Sequence, residues 1–312
     1  MQRYAVIDVG SNTIHLLVAE CDTRQVQAVH DLRVRTPLGA AVALRGAWGV
    51  ARIHEVAEIV ARFAKRARRE RAQSLILVAT ESVRAAADRA AIIAALEAGA
   101  GVPLHLLSAA SEAILCLAGA GLESLPPPPF LLADIGGGSC DLAAVGPRGV
   151  LDARSLQIGS GVLAARCLAG DPPEPAWVRA ADAAVEAMLD TVTFNGISAL
   201  PDLIVTGGAV RRLRRQAGGP GHLSATADLL PLLDVLLSMP AGAWPHPLKD
   251  PDRAATTRAG AVILRALLRH WEIQTWRASS YGLREGALLY HAQGRPLDQP
   301  RPTHAAGLRI GA

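Results

Sequence analysis

The sequence is poor in several features that define other classes of protein. Only Lys65 and Lys249 are lysines, aromatic residues make up 4% of the chain, and the four cysteines form no CxxC pair. Scattered cysteines of this kind are typical of reduced thiols in an intracellular protein. No apolar run approaches the roughly 18 to 20 residues that cross a bilayer. The chain starts Met1-Gln2-Arg3 and reaches Asp8 without the apolar stretch of a signal peptide. We therefore expect a cytoplasmic location and no membrane partner.

Composition sets the scale of the fold. Half of the 312 residues are hydrophobic and 19% are charged, so the chain can bury enough apolar surface to fold, and its length suits two domains. The net charge is +4 and 30 of the 32 basic residues are arginines. Arginine binds phosphate oxygens in pairs, but a GC-rich genome explains the same bias. Composition alone establishes no phosphate ligand, and no nucleic-acid partner is expected.

Two segments of the chain follow one plan. The apolar run Tyr4–Asp8 leads into a Gly/Ser/Asn turn and a second apolar run at 14–19, and Phe130–Asp134 leads into Gly136-Gly137-Gly138-Ser139 and another apolar run. This repeat predicts two related α/β domains, each with one glycine-rich hairpin. Four prolines at 126–129 mark the boundary. We expect domains at 1–125 and 126–293 and a flexible tail at 294–312.

Glycine-rich turns suit anions because backbone N–H groups can approach a ligand where no Cβ interferes. A third turn, Gly207-Gly208, follows the apolar run 203–206 and precedes a predicted helix, whose N-terminus also favours phosphate. Tight packing between helix and strand explains this Gly pair equally well. If the first two turns face each other across a cleft, they are expected to hold a phosphate chain together with its metal.

Five segments in order resemble the exopolyphosphatase / guanosine pentaphosphate phosphohydrolase family. They are Ile7–Thr13, Thr80-Glu-Ser-Val-Arg84, Ser108-Ala-Ala-Ser-Glu112, Asp134–Ser139 and Gly282-Leu-Arg-Glu-Gly286. The resemblance covers roughly residues 3 to 290 and implies the two-domain fold of actin, Hsp70 and sugar kinases, known as the ASKHA fold. It also implies the short form of the family, without the additional C-terminal domain of longer members, and a possible homodimer.

The resemblance assigns roles to named residues. Glu112 corresponds to the glutamate that activates water, and Asp134 to the acid that organises metal and water. Phosphate contacts fall on Gly10, Ser11, Asn12, Thr13, Arg84, Gly136, Gly137, Gly138, Ser139, Gly207 and Gly208. Mg²⁺ is the implied cofactor, and its candidate ligands are Asp8, Asp134 and Asp141.

The implied function is hydrolysis of the terminal phosphoanhydride of inorganic polyphosphate by an exopolyphosphatase. Removal of the 5′ γ-phosphate of pppGpp, a guanosine pentaphosphate, is the nearest alternative, because it breaks the same kind of bond. A weakly active or inactive actin-like regulator that binds polyphosphate or nucleotide is a second alternative, and a sugar-kinase-type phosphotransferase is a third. The sequence departs from the family pattern at Ala109, Ser111, Ile114, Cys140-Asp141 and Ala209, which puts rate, metal preference and substrate length in doubt.

Structural interpretations of the same residues stay open. Glu112 is also favourable in a first helical turn without any function, and Arg84 also suits a helix surface. The dense basic run of residues 211, 212, 214 and 215 is either a track for polyphosphate or a solvated helix face. Arg284 and Glu285 are expected to form a structural ion pair, and His15 to line the core or a cleft wall.

Overall fold

The computed structural model describes residues 1–168, 170–194, 199–218 and 224–298. By its internal contacts the chain forms two units. The first unit is Met1–Leu122 together with the segment from Tyr281 to the last described residue, Asp298; the second unit is Glu123–Ser280.

The N-terminal segment of the first unit contains β1 (Gln2–Val9), β2 (Thr13–Cys21), β3 (Val26–Arg35), α1 (Leu38–Arg45), α2 (Val50–Arg69), β4 (Ser74–Ala79), α3 (Glu81–Arg84), α4 (Arg89–Ala100), β5 (Leu104–Leu106) and α5 (Ala109–Ala120). The second unit contains β6 (Phe130–Ile135), β7 (Cys140–Gly146), β8 (Gly149–Leu156), α6 (Ser160–Cys167), α7 (Pro175–Leu189), β9 (Asp202–Thr206), α8 (Gly208–Gln216), β10 (Ser224–Ala225), α9 (Thr226–Ser238), α10 (Pro251–His270) and β11 (Thr275–Ala278). The chain then returns to the first unit with α11 (Leu283–Ala292).

The sheets of the two units share one topology. Within the described residues, the first sheet has the order β3-β2-β1-β4-β5 and the second has β10-β11-β9-β6-β7-β8. In the first sheet β1, β2 and β3 pair antiparallel in chain order, and β4 then pairs parallel with β1. In the second sheet β6, β7 and β8 pair in the same way, and β9 then pairs parallel with β6. Strands β1 and β6 therefore occupy equivalent places, which agrees with the repeat expected from Asp8 and Asp134.

Both faces of β1 are buried because helices pack on them. Ala5, Ile7 and Val9 belong to one core cluster with Val56 and Val60 of α2, while α11 packs against β1 and β2. In the second unit the core gathers around α10, which packs against α6, α7, α8 and α9 and is buried continuously from Thr257 to Leu268. None of the helices in the described ranges is both long and apolar enough to cross a membrane.

Helix α11 lies in the first unit, whereas the expected second domain ran to residue 293. It packs along α5, and two glycines make that approach possible. A Cβ on Gly119 would come within 2.0 Å of the Gly282 carbonyl oxygen, and one on Gly286 within 1.8 Å of the Leu115 carbonyl oxygen. The predicted boundary after residue 125 is close to the observed division after Leu122.

The part of the expected flexible tail that the structure describes packs on the first unit. Leu297 is buried, and the Asp298 carboxylate lies 2.6 Å from His105 Nδ1. The Ser111 hydroxyl donates to the Asp298 carbonyl oxygen over 3.1 Å. Residues 294–298 are therefore held at the start of α5, and the remainder of the predicted tail, 299–312, lies outside the described residues.

Candidate active-site residues

The β1–β2 turn of the first unit is fixed by its own carbonyl groups. The Ser11 and Asn12 carbonyl oxygens accept the N–H groups of Gly39 and Thr36 over 2.7 and 3.0 Å. Since the C=O and N–H of one peptide unit point in opposite directions, the N–H groups of Asn12 and Thr13 face away from the 36–39 loop. The turn thus presents backbone donors of the kind that hold anions.

Gly10 has a different place in this turn from the one expected. Its N–H donates to the Thr13 carbonyl oxygen over 3.2 Å and closes the hairpin. A Cβ at Gly10 would lie 3.2 Å from that same oxygen, which is tighter than an ordinary contact. Gly10 therefore shapes the turn, and its N–H is already bonded within the hairpin.

Ser11 has a partner that the sequence prediction missed. Its hydroxyl donates to Glu81 Oε2 over 3.0 Å, and both residues are buried, at 7% and 5% exposure. Glu81 opens the short helix α3 directly after β4, the parallel neighbour of β1. The motif Thr80…Arg84 already included Glu81, but a contact across 70 residues of sequence leaves no local signal.

The structure brings Arg84 and Glu112 together. Arg84 Nη1 donates both to the Glu112 carboxylate and to the Leu107 carbonyl oxygen. Glu112 stands in the first turn of α5, is 4% exposed, and follows the N-cap Ser108, whose hydroxyl accepts the Ser111 N–H over 3.1 Å. The guanidinium offsets the cost of burying the carboxylate charge, so Arg84 is not a free surface residue.

The β6–β7 turn of the second unit repeats the arrangement of the first. The carbonyl oxygens of Gly136, Gly137 and Gly138 accept N–H groups from residues 159–162, at the start of α6, over 2.8 to 3.1 Å. By the same peptide geometry, the N–H groups of Gly137, Gly138 and Ser139 face away from α6. Gly159 is required for this packing, because a Cβ there would lie 2.4 Å from the turn backbone.

Two acids of the second unit lie side by side at the base of this turn. Asp134 and Asp141 are directly opposite each other in the β6–β7 ladder, so their side chains project from the same face of the sheet. Thr206 Oγ1 donates to Asp134 Oδ1 over 2.7 Å, and Ser139 Oγ donates to Asp141 Oδ2 over 2.8 Å. Thr206 was not among the predicted site residues.

Cys140, the residue before Asp141 in β7, has an unreactive thiol. Burial raises the pKa of Cys140 well above its ordinary value, and the neighbouring charges of Asp141 and Asp134 raise it further. A thiol that keeps its proton is a poor nucleophile and a poor metal ligand. Cys140 is therefore not a candidate for either role at this turn.

Gly207 places the third predicted turn against the C-terminal end of β6. Its φ is +115°, and a Cβ would lie 2.3 Å from the Ile135 carbonyl oxygen and 3.2 Å from Asp134 Oδ1. Gly208 then begins α8 close to two guanidinium groups, since Arg211 Nη2 and Arg212 Nη1 lie 4.0 Å from the place of its Cβ. The close approach of Gly207 to β6 supports the packing explanation, and the guanidinium groups near Gly208 are compatible with the phosphate explanation.

The basic run on α8 divides into residues with different contacts. Arg212 donates to Thr256 and Thr257, and Arg214 donates to Ser280 over 2.7 Å. These two arginines therefore stabilise the second unit, while Arg215 is exposed. Because two of the four arginines are already bonded within the protein, these contacts argue against a polyphosphate track along the whole run.

Asp8 and its surroundings lie in the first unit. Asp8 is opposite His15 in the β1–β2 ladder. Burial lowers the pKa of Arg284, but the negative charges of Glu285, Asp31 and Asp8 outweigh it and raise the pKa above its ordinary value. Arg284 Nη1 donates to Asp31 over 2.9 Å, and its other terminal nitrogen lies 3.8 Å from Glu285. The expected ion pair is present, with Asp31 as an additional partner.

Comparison with known proteins supplies the family. The model of the Ppx/GppA phosphatase family matches residues 17–293. The chain belongs to this family. The resemblance stated from the five motifs is confirmed, and so is the prediction of a hydrolase at the level of the family.

Relatives within the Ppx/GppA family carry two kinds of name. Exopolyphosphatase 1 of Mycobacterium tuberculosis is 27% identical to this chain, over 99% of the chain and 95% of the relative. Guanosine-5'-triphosphate,3'-diphosphate pyrophosphatase of Pseudoalteromonas translucida is 25% identical, over 91% of the chain and 58% of the relative. The crystal structure of an exopolyphosphatase from Cytophaga hutchinsonii superposes with a TM-score of 0.80 at 19% identity, over 96% of this chain and all of that one. This last likeness confirms the predicted α/β fold class.

The acids of the second unit bear on the Mg²⁺ that the sequence resemblance implies. In the ranges that the structure describes, no three His, Cys, Asp or Glu side chains gather into a group that could hold a metal ion, so this part of the chain offers no all-protein cage. Mg²⁺ needs none, because it keeps several waters and is bound by one or two carboxylates and by substrate phosphate. Asp134 and Asp141, adjacent on one face, match that requirement.

Proposed function

We propose that this protein is an exopolyphosphatase, which releases orthophosphate from the end of inorganic polyphosphate with Mg²⁺. The observation that carries the proposal is the buried Glu112 in the first turn of α5, held by Arg84. Family membership supports a phosphatase, and the names of its relatives support polyphosphate as the substrate class.

Glu112 is the group proposed to activate water. Its carboxylate accepts a hydrogen bond from the attacking water and takes the proton as the oxygen–phosphorus bond forms. The phosphoanhydride bond breaks on the opposite side, and the shortened chain leaves with the bridging oxygen. A base placed in this way contributes about 10²- to 10⁴-fold to a rate.

The remaining groups bind and orient the phosphates. The amides of Asn12 and Thr13 in the first unit, and those of Gly137, Gly138 and Ser139 in the second, donate to phosphate oxygens. Arg84 holds the Glu112 carboxylate and neutralises charge on the terminal phosphoryl group. Because phosphoryl transfer depends mainly on positioning and charge neutralisation, donors that are fixed before the substrate arrives are effective.

Bound Mg²⁺ would supply further charge neutralisation at the phosphate oxygens. Asp134 and Asp141 are proposed to hold it, and Thr206 and Ser139 fix the orientation of these two carboxylates. Asp8 is the third acid in the proposed set, in the first unit.

Phosphate release from polyphosphate of defined length, with Mg²⁺, tests the proposal. Wild type is expected to release orthophosphate, and Glu112→Gln is expected to bind substrate but release it far more slowly. Release by wild type that is unaffected in Glu112→Gln would remove Glu112 from its role. Binding without release by wild type would support the alternative of an actin-like regulator.

A second substrate, pppGpp, is supported by the relative named as a guanosine-5'-triphosphate,3'-diphosphate pyrophosphatase. The two substrates share a terminal phosphoanhydride, so the same residues serve both. Comparison of kcat/KM for long polyphosphate, short polyphosphate and pppGpp decides between them. A higher kcat/KM for the nucleotide would make pppGpp, and not polyphosphate, the preferred substrate.

A further inference from the structure

Both serines of the phosphate-binding turns have their hydroxyl proton directed at a buried carboxylate. Ser11 donates to Glu81 over 3.0 Å, and Ser139 donates to Asp141 over 2.8 Å. All four residues are at least nine-tenths buried, with exposures of 5% to 7%. The same device therefore occurs in equivalent turns of the two units, although the two carboxylates come from different places in the chain.

This arrangement determines what each hydroxyl can offer a ligand. A serine has one O–H donor and two acceptor lone pairs. When the proton is donated to a carboxylate, only lone pairs remain, and these repel an ionised phosphate oxygen but accept from a metal-bound water or bind a cation. Hydrogen bonds to charged acceptors are also stronger than bonds between neutral groups, so the carboxylate competes well for the proton.

We propose that Glu81 is a positioning residue that sets the hydrogen-bonding polarity of Ser11, so that Ser11 acts as an acceptor and not as a phosphate donor. This rests on the proposed function, because it concerns the same phosphate-binding turn. In the first unit the anion is then held by the amides of Asn12 and Thr13. The negative charge of Glu81 disfavours phosphate that carries no cation and favours phosphate bound to Mg²⁺.

The location of Glu81 supports a role beyond stability. It is placed by β4, whose ladder with β1 ends at Val9 and Ala79, so the turn after β1 and the start of α3 are neighbours. Three residues later in the same short helix, Arg84 holds Glu112. Helix α3 thus orients one residue of the phosphate turn through Glu81 and the water-activating acid through Arg84.

A double-mutant cycle with imidodiphosphate tests the proposal. This analogue has a P–N–P bridge that phosphatases do not cleave readily, so calorimetry reports affinity with EDTA and with Mg²⁺. The variants are Ser11→Ala, Glu81→Gln and the double variant, and Glu97→Gln is the matched control. Glu97 is a half-buried acid of the first unit that accepts the Leu104 N–H over 2.9 Å, away from the turn.

The expected result is a strong interaction between the two sites. Without metal, Ser11→Ala changes the affinity less than twofold in the wild-type background, because Ser11 makes no donor bond to phosphate. In the Glu81→Gln background the acceptor is a neutral amide oxygen, which competes less well than a charged phosphate oxygen for the hydroxyl proton. Ser11→Ala therefore lowers affinity about fivefold or more in that background, as for a hydrogen bond to a charged group. Glu81→Gln itself raises metal-free affinity and reduces the gain from Mg²⁺, whereas Glu97→Gln does neither.

Equal effects of Ser11→Ala in both backgrounds would overturn the proposal, because Glu81 would then not determine whether Ser11 donates to phosphate. If Glu81→Gln does not fold, Ser11→Ala decides alone: a metal-free loss of fivefold or more overturns the assignment, and a loss below twofold supports it. A wild type that hydrolyses polyphosphate but shows an additive cycle contradicts only the role of Glu81. A wild type that neither binds imidodiphosphate nor releases phosphate contradicts the proposed function as well.

Discussion

Arg84 and Glu112 form an ion pair in which the guanidinium also binds the Leu107 carbonyl oxygen, just ahead of the helix that carries the acid. One side chain therefore fixes both the position of α5 and the direction of its carboxylate. The Arg84 side chain keeps 24% exposure, while that of Glu112 keeps 6%. The acid is buried and its partner reaches solvent, which suits a pair that receives a charged substrate.

Replacing Arg84 by alanine is expected to lower phosphate release about 100-fold or more. The buried carboxylate loses its compensating charge, and the phosphoryl group loses a donor, an effect of about 10²- to 10³-fold in comparable sites. Arg84→Lys keeps the charge but not the planar fork, so partial recovery is expected. Arg52→Ala, which removes an exposed pair with Glu55, is the control, and a similar loss there would contradict the assignment.

Gly159→Ala is expected to weaken binding of phosphate ligands at the second-unit turn. A Cβ at this position would lie 2.4 Å from the backbone of Gly137 and Gly138, so the turn must move and its amides lose their alignment. Gly242→Ala is the matched substitution, because nothing lies within 4 Å of the added Cβ. Calorimetry with imidodiphosphate and Mg²⁺ is the measurement; equal affinity in the two variants would show that this turn does not bind the ligand.

The local features of the site could be predicted from sequence, and the long-range ones could not. The turns at 10–13 and 136–139 can be predicted because Asp, Gly and Ser occur together in a short window between apolar runs. The pairing of Ser11 with Glu81 depends on the parallel ladder between β1 and β4, which no short window contains. Arg84 was singled out only through resemblance, because its partner Glu112 lies 28 residues away, and its contact with phosphate stays a prediction.

The same distinction explains the misplaced helix α11. Its sequence predicts a helix but not the element against which it packs. A signal was present, because glycine inside a helix costs about 1 kcal/mol relative to alanine and often has a packing reason. Gly119 and Gly286 meet that description, and together they allow α5 and α11 to approach closely. The glycines indicate that each helix has a close neighbour, but they do not identify which element that neighbour is.

Thr206→Val is expected to raise the Mg²⁺ concentration needed for half-maximal phosphate release about tenfold. The substitution keeps the shape of the side chain but removes the hydroxyl that donates to Asp134 Oδ1 over 2.7 Å, and groups that orient metal ligands typically contribute 10- to 100-fold. Thr226→Val is the control, since the Thr226 hydroxyl is buried and has no hydrogen-bond partner among the described residues. An unchanged Mg²⁺ requirement in Thr206→Val would argue against Asp134 as a metal ligand.

The ionisation of Asp31 is expected to make the free energy of unfolding depend on pH in the acid range. His15, whose Nδ1 lies 3.9 Å from the Asp31 carboxylate, holds the pKa of Asp31 well below its ordinary value of 3.8, and the nearby Arg284 guanidinium lowers it further against the opposing effect of burial. Because the folded-state pKa is depressed, the stabilisation is fully present above pH 4 and is lost as pH falls through the folded pKa. The free energy of unfolding of Asp31→Asn is therefore expected to fall less steeply than that of wild type below pH 4.

Urea unfolding at several pH values between 2 and 7 measures this difference. Glu55→Gln, at an exposed pair on α2, serves as the control and is expected to follow wild type. Parallel curves for wild type and Asp31→Asn would contradict a pKa set by His15 and Arg284.

The most direct test of the water-activating role of Glu112 is orthophosphate release from polyphosphate of defined length by wild type and Glu112→Gln, measured together with imidodiphosphate affinity in Mg²⁺. We predict that release by the variant falls about 10²- to 10⁴-fold, as for the loss of a general base, while affinity changes less than threefold. Near-equal rates of release in the two proteins, at equal affinity, would contradict this role for Glu112.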